Sequence, residues 1–171
     1  MKLIAFDLDG TLVEDHLIDT GGGLRPRADR HYTDPVLLDG VLGRIRVEAA
    51  EPVSFAICTN QGGVALGFQT TDEVQERIVR CLRLLDWFDG AAFSVHCCLD
   101  HPNGTVRGFE NPDARRLYRR KPQPGMLLEA IAAVGASRNE TTFVGDRQTD
   151  AEAAQQAGVH FEHIEAWLTQ E

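Results

Sequence analysis

The chain has 171 residues, of which 43% are hydrophobic and 25% are charged, and its formal net charge is −9. This length predicts a single domain over residues 1–171, and the composition excludes disordered and fibrous proteins. The negative charge disfavours a protein that coats nucleic acid, and the apolar runs are too short to span a membrane. Because Asp7 and Asp9 interrupt the apolar start, we expect no secretion signal and predict a cytoplasmic protein without a membrane partner.

Short apolar runs alternate with segments of helical periodicity. The runs at 2–6, 53–58, 93–97, 141–144 and 159–161 are predicted to be buried strands. Helices are predicted over 36–50, over 71–87 behind a capping box of Thr70 and Glu73, from Pro124 to Gly135, and from a capping box of Thr149 and Glu152 to Gly158. This alternation predicts a three-layer α/β/α, Rossmann-like parallel sheet without a separate cap domain.

Polar residues follow three of the predicted strands, where ligands bind in sheets of this kind. The first strand leads into Asp7-Leu8-Asp9-Gly10-Thr11, the second into Thr59-Asn60-Gln61-Gly62-Gly63, and the fourth into a segment with Asp146 and Asp150. Four carboxylates at one sheet edge repel one another unless a cation lies among them. Hard oxygen ligands together with a substrate phosphate suit Mg²⁺, so Asp7, Asp9, Asp146 and Asp150 are the candidate metal residues.

The spacing of Asp7 and Asp9 predicts phosphoryl-transfer chemistry. Alternate residues of an extended segment point the same way, so both carboxylates address one reacting phosphorus. One carboxylate can attack to form an aspartyl phosphate, and the other can protonate the leaving oxygen and later activate water. Thr59 supplies a hydroxyl and Lys121 a positive charge for the phosphoryl oxygens.

Four segments of the chain resemble the motifs of haloacid dehalogenase-like phosphatases. They are Asp7-Leu8-Asp9-Gly10-Thr11-Leu12-Val13, Thr59-Asn60-Gln61-Gly62-Gly63-Val64, Lys121-Pro122-Gln123-Pro124-Gly125-Met126-Leu127, and Val144-Gly145-Asp146 with Asp150. The residues of the second and third segments resemble those of the subgroup of histidinol-phosphate and heptose-bisphosphate phosphatases, to which polynucleotide 3′-phosphatases are related.

The resemblance assigns a role to each matching residue. It implies that Asp7 is the nucleophile and Asp9 the acid/base. Thr59, Asn60 and Lys121 would hold phosphate, with Gln61 and Arg120 beside them as further candidates. Mg²⁺ would bind Asp7, the Asp9 carbonyl and Asp146, with Asp150 close by. The expected substrate is a small phosphorylated metabolite of the sugar or histidinol type.

The chain departs from this subgroup in a loop that binds zinc in the sugar and histidinol members. Cys98 and His101 resemble the first half of that site, but Leu117 and Arg119 stand where a later pair of cysteines is expected. So compact a set of ligands seldom encloses zinc, and a zinc site is therefore not expected.

Segment 14–34 is a candidate lid or a surface hairpin, because it holds the glycines Gly21 to Gly23. Two basic stretches, with Arg25, Arg27 and Arg30 in one and Arg115, Arg116 and Arg119 in the other, leave a polynucleotide 3′-phosphatase as the alternative function. A non-catalytic phosphate-binding module is the alternative from another class. The sequence leaves the oligomeric state open.

Overall fold

The computed structural model describes residues 1–19, 21, 23–86 and 92–170. Its strands are β1 (Lys2–Phe6), β2 (Leu17–Asp19), β3 (Leu24–Pro26), β4 (Val53–Asn60), β5 (Phe93–Cys98), β6 (Thr141–Gly145) and β7 (His160–His163). Five of them form one sheet in the order β5-β4-β1-β6-β7, and every pair in it is parallel. The predicted parallel sheet is confirmed.

Helices cover both faces of the sheet. They are α1 (Val41–Glu48), α2 (Thr71–Leu84), α3 (Ala114–Leu117), α4 (Gly125–Val134), α5 (Gln148–Ala157) and α6 (Ile164–Thr169), with a 3₁₀ turn over Arg138–Glu140. Because strand side chains alternate, Ile4 and Phe6 of β1 share one core cluster with α1, α2 and α6. Leu3 and Ala5 share the opposite cluster with α4 and α5. The predicted three-layer architecture is therefore confirmed.

Helix starts follow local capping chemistry. The predicted box of Thr70 and Glu73 is present at α2, and Gly135 and Gly158 end α4 and α5 in the left-handed conformation. At α5, however, the predicted box of Thr149 and Glu152 is wrong. The Asp150 carboxylate accepts the Arg147 N–H at 3.0 Å, so the helix begins one residue before Thr149.

Two predicted helix bounds differ from the structure or lie beyond its described part. The helix predicted over 36–50 begins only at Val41, because Leu37 pairs with Val13 in an isolated bridge and Gly40 has a φ of 82°. Helix α2 ends at Leu84, and the predicted end at Trp87 lies outside the described residues.

The segment between β1 and α1 contains the two-stranded antiparallel hairpin β2–β3, in which Ile18 lies opposite Arg25. Of its predicted glycine run, Gly22 lies outside the described residues. In the parallel sheet, β1 lies between β4 and β6, and the chain order reverses beside it. A ligand site is therefore expected at the carboxyl end of β1. Among the described residues, no helix is both long and apolar enough to cross a bilayer.

Candidate active site

Asp7 directly follows β1 and extends its ladder, since its N–H donates to the carbonyl of Val144 at 2.9 Å. Its buried carboxylate accepts the Lys121 ammonium at 2.6 Å, and the same ammonium lies 2.7 Å from Asp150 Oδ1. Burial raises the pKa of Asp7 against the opposing charge of Lys121, and the second carboxylate of Asp150 raises it further. Two buried carboxylates thus share one ammonium group, so the pair of negative charges is only partly compensated.

Asp7, Asp146 and Asp150 offer carboxylate oxygens that all lie within 4.8 Å of one another. Thr11 donates to Asp146 at 3.3 Å. Gly10 has a φ of +84°, and a Cβ there would lie 2.4 Å from Asp146 Oδ2, so only glycine lets the chain pass this close to the carboxylate. Three carboxylates with hard oxygen donors, beside a backbone that carries no side chain at Gly10, fit a divalent cation such as Mg²⁺.

The Asp9 carboxylate stands apart from this acidic cluster. It accepts hydrogen bonds from Gln61 Nε2 at 2.7 Å and from Arg77 Nη2 at 2.6 Å, and it lies 3.4 Å from His16 Nδ1. Burial alone would raise the pKa of Asp9, but His16, Arg77 and Gln61 together hold it well below its usual range. Asp9 is therefore ionised in the resting site, and its carboxylate belongs to a second group of candidate metal ligands, with Asp15 and His16, rather than to the cluster of Asp7, Asp146 and Asp150.

The predicted phosphate-binding residues at the end of β4 hydrogen-bond to one another and to Lys121. Thr59 is buried, and its hydroxyl accepts a hydrogen bond from Gln61 at 2.9 Å. The Asn60 side chain, a predicted phosphate ligand, donates to the Lys121 carbonyl and accepts the Lys121 N–H, both at 3.0 Å. That side chain holds the backbone of Lys121 in place, and its second amide N–H is left to donate into the cleft that Asn60 lines. The Gln61 amide nitrogen, in contrast, donates to both Asp9 and Thr59.

A cleft of about 790 Å³ opens in front of these groups. Asp7, Asp9, Thr59 and Lys121 line it, together with Arg25 from β3 and the predicted binding residue Arg120. Arg120 donates to the Asp100 carbonyl at 3.0 Å, which orients it beside the Gly62 turn. The hairpin β2–β3 therefore forms part of the wall of the cleft.

The loop that resembles half of a zinc site is held by an arginine. Cys98 is buried and has a free thiol, whereas His101 lines the cleft. Arg116 pairs with the Asp100 carboxylate and donates to the Gly108 carbonyl at 3.0 Å. Within the described part of the chain, the candidate metal groups include neither Cys98 nor His101. The ligand set of this loop does not fit tetrahedral zinc.

Protein purified without added zinc is therefore expected to contain less than about 0.1 zinc per chain, because a stable site needs four suitable ligands. Elemental analysis after dialysis measures this directly. A content near one zinc per chain, lost together with thermal stability in Cys98→Ser, would contradict this interpretation of the loop.

Sequence reasoning missed Arg77 and Tyr32. Arg77 is 2% exposed and lies on the apolar side of α2, between Val74 and Cys81. One signal was available, because an arginine three residues after Val74 falls within the apolar helical stripe rather than on the solvent face. Tyr32 belongs to the segment treated as a lid, and nothing in its sequence pattern points to the site.

Comparison with known proteins gives a consistent result. The family model described as HAD-hydrolase-like matches residues 118–162. A D-glycero-beta-D-manno-heptose-1,7-bisphosphate 7-phosphatase of Rhodopseudomonas palustris is 30% identical over 156 residues, which cover 90% of this chain and 77% of the relative. The enzyme of that name from Pasteurella multocida is 28% identical over 165 residues, covering 92% and 78%.

Solved structures agree with the relatives. A HAD-like phosphatase from Mesorhizobium loti superposes with a TM-score of 0.74 at 27% identity, covering 93% of this chain and 69% of the other. The D,D-heptose 1,7-bisphosphate phosphatase of B. bronchiseptica, in complex with magnesium and phosphate, gives a TM-score of 0.69 at 25% identity, covering 94% and 79%.

The parallel sheet and the carboxylates beyond β1 and β6 define a hydrolase of the haloacid dehalogenase-like class. The relatives define the position within that class. The chain belongs to the haloacid dehalogenase-like phosphatases, in the subgroup that contains the heptose-bisphosphate phosphatases. It is a phosphoric monoester hydrolase, as the sequence motifs predicted.

Proposed function

We propose that the protein is a Mg²⁺-dependent phosphatase that acts on a small sugar phosphate through a phosphoaspartate on Asp7. The observation that carries the proposal is the buried contact of 2.6 Å between Asp7 and Lys121 at the base of the cleft. A carboxylate there faces the substrate phosphate with a fixed cation beside it. Asp146 and Asp150 would hold Mg²⁺ together with Asp7, and the bound cation would neutralise charge on the phosphoryl oxygens.

In the first half-reaction an Asp7 oxygen attacks phosphorus, the bond from phosphorus to the ester oxygen breaks, and Asp9 gives that oxygen a proton. Asp9 is ionised at rest, and a phosphate monoester in its monoanionic form brings the proton. In the second half-reaction Asp9 takes a proton from water as the water oxygen attacks phosphorus, and the phosphate leaves Asp7. Lys121 and the Thr59 hydroxyl stabilise the equatorial oxygens throughout.

The lining of the cleft supports a substrate with a second anionic group. Besides Lys121, which is engaged with Asp7, and Arg147, which pairs with Asp15, the cleft is lined by Arg25 and Arg120. A guanidinium binds phosphate in a fork-like geometry that an ammonium does not provide. The relatives named above act, by their names, on a doubly phosphorylated heptose. We infer a sugar bisphosphate as the substrate class.

The alternative, a polynucleotide 3′-phosphatase, has less support because most of its proposed basic residues are already paired within the chain. Arg27 and Arg30 pair with Glu14, Arg116 pairs with Asp100, and Arg119 binds Glu129 through two nitrogens. Paired surface cations attract a polyanion weakly. With the catalytic carboxylates in place, a non-catalytic module is not supported either.

A phosphate-release screen tests the proposal. It compares heptose 1,7-bisphosphate, fructose 1,6-bisphosphate, glucose 6-phosphate, histidinol phosphate and a 3′-phosphorylated oligonucleotide between about 50 and 200 mM salt. A sugar bisphosphate is expected to have the highest kcat/KM, with a preference over the monophosphate that falls in Arg120→Met but not in the matched Arg119→Met. If the oligonucleotide is preferred by about a hundredfold, with a logarithmic salt slope steeper than about −2, the substrate class is wrong.

Affinity for Mg²⁺ is expected to rise with pH. Burial raises the pKa of Asp7 to about 7 in the metal-free site, so a proton competes with the cation near neutrality. The apparent Kd should fall by up to about tenfold per pH unit below that pKa and level off above it. Calorimetric titration in two buffers of different ionisation enthalpy counts the displaced proton. A Kd that does not change between about pH 6 and 8 would contradict the prediction.

A further inference from the structure

Arg77 is the most deeply buried arginine side chain of the described residues, and it does not face the cleft. It occupies the apolar stripe of α2 with Val74, Ile78 and Cys81. A methionine or leucine would pack there without any desolvation cost, and replacing buried ion pairs by apolar residues is often neutral or stabilising. Packing alone therefore does not account for an arginine at this position.

The contacts of Arg77 connect the acid/base residue to both ends of one segment. Its Nη2 donates to Asp9 Oδ1 at 2.6 Å and lies 3.4 Å from the carbonyl of Glu14, while its Nη1 donates to the carbonyl of Tyr32 at 2.6 Å. The guanidinium also lies over the Tyr32 ring, 4.9 Å from its centroid. Segment 14–32 contains the hairpin β2–β3, so Arg77 connects the two ends of the segment from which the hairpin extends.

A second path leads from Tyr32 to the other oxygen of Asp9. The Tyr32 hydroxyl donates to Gln61 Oε1 at 2.7 Å, and this fixes which way the amide points. Gln61 Nε2 then donates to Asp9 Oδ2 at 2.7 Å and to the Thr59 hydroxyl at 2.9 Å. Both carboxylate oxygens of Asp9 are thus held by groups that bind Tyr32.

We propose that Arg77 is a positioning residue for the acid/base Asp9. It fixes the orientation of the Asp9 carboxylate and also binds the backbone at Glu14 and Tyr32, the two ends of the segment that contains the hairpin β2–β3. The hairpin that lines the cleft and the acid/base carboxylate are therefore held in a fixed relative position. The proposal rests on the role of Asp9 in the proposed function. Arg77 is 2% exposed, so it acts through Asp9 and Tyr32 and not by touching the substrate.

Two substrates that differ in their leaving group distinguish a loss of Asp9 positioning from a general disruption of the active site. A sugar alkoxide needs a proton to leave, whereas 4-nitrophenolate leaves without one, and kcat/KM reports the steps up to departure of the leaving group. In Arg77→Met, kcat/KM for the best sugar phosphate should fall at least about thirtyfold, and that for 4-nitrophenyl phosphate less than about threefold. Arg77→Lys keeps the charge but not the fork, so it should show most of the same selective loss. The matched control Arg83→Met, exposed on the same helix, should change neither value.

A double-variant cycle completes the test. If Arg77 acts only through Asp9, adding Arg77→Met to Asp9→Asn should change the remaining kcat/KM by less than about twofold. Removing both charges also avoids leaving one of them buried and unpaired, so this comparison remains decisive if the single variant melts too low to assay. Equal losses with both substrates, full additivity with Asp9→Asn, or a gain of activity in Arg77→Met would each overturn the proposal. A wild-type protein that hydrolyses neither substrate would instead refute the proposed function.

Discussion

Asp7→Asn is expected to lose at least about 10³-fold in turnover on every substrate, because an amide fills the same volume but does not attack phosphorus. The fold should persist. Lys121 keeps Asp150 as a partner at 2.7 Å, and the backbone of residue 7 keeps its bond to Val144. Phosphate release under saturating Mg²⁺ measures the loss, and Asp72→Asn, on the exposed start of α2, is the matched control.

Asp7→Asn should lose activity but gain thermal stability in the absence of metal. Because burial raises the pKa of Asp7 to about 7, folded protein binds a proton more tightly than unfolded protein does. The stability that comes from protonated Asp7 is therefore present at acidic pH and lost as pH rises through that value. Metal-free Asp7→Asn should escape this loss and melt higher than wild type above neutrality. Turnover of Asp7→Asn within about tenfold of wild type would exclude a phosphoaspartate on this residue.

Lys121→Met is expected to lower kcat/KM by about 10²- to 10³-fold, the range seen when one preorganised donor to the transition state is removed. It should also lower the free energy of unfolding by about 3–5 kcal/mol in the absence of metal, since Asp7 and Asp150 are then buried without their shared cation. The Asn60 clamp holds the backbone of residue 121, so the change is confined to the side chain.

Urea unfolding with and without Mg²⁺ separates these two effects. Added Mg²⁺ should recover much of the stability of Lys121→Met, because it supplies the missing positive charge, but it should not recover the activity. Arg119→Met is the control, since Arg119 is half-exposed and pairs only with Glu129 among the contacts described. A Lys121→Met enzyme with kcat/KM within about threefold of wild type would show that this ammonium is not part of the phosphate site.

The sheet and the catalytic edge could be predicted because both depend on short-range patterns. Buried parallel strands appear as apolar runs, and the residues that directly follow them meet at one edge. Asp7, Thr59 and Asp146 follow strands β1, β4 and β6 or lie within their last residues, so their proximity needs no knowledge of side-chain detail. Glycine and threonine at helix ends are equally local signals, as at Thr70 and Gly135.

The hydrogen-bond and ion-pair partners of individual polar side chains could not be predicted, because they lie far away in sequence. Asn60 suits a phosphate or a backbone clamp equally well, and the clamp partner Lys121 is 61 residues away. Asp150 caps α5 and also pairs with Lys121, so Thr149 is not needed as the cap. Arg77 lies 68 residues from Asp9, and a single charge in a helix is ordinarily assigned to solvent.

The tight junction between β6 and α5 has a consequence for how such enzymes diverge. A Cβ on Gly145 would lie 2.6 Å from the Cβ of Asp150, and Ala153, Ala154 and Ala157 leave α5 close against the sheet. Insertions have no room on this side of the site. The hairpin side is different, because among the described residues β2 and β3 form a two-stranded sheet separate from the parallel sheet. New substrate ranges should therefore arise by lengthening or rewriting segment 14–34, while the junction after β6 stays constant in length.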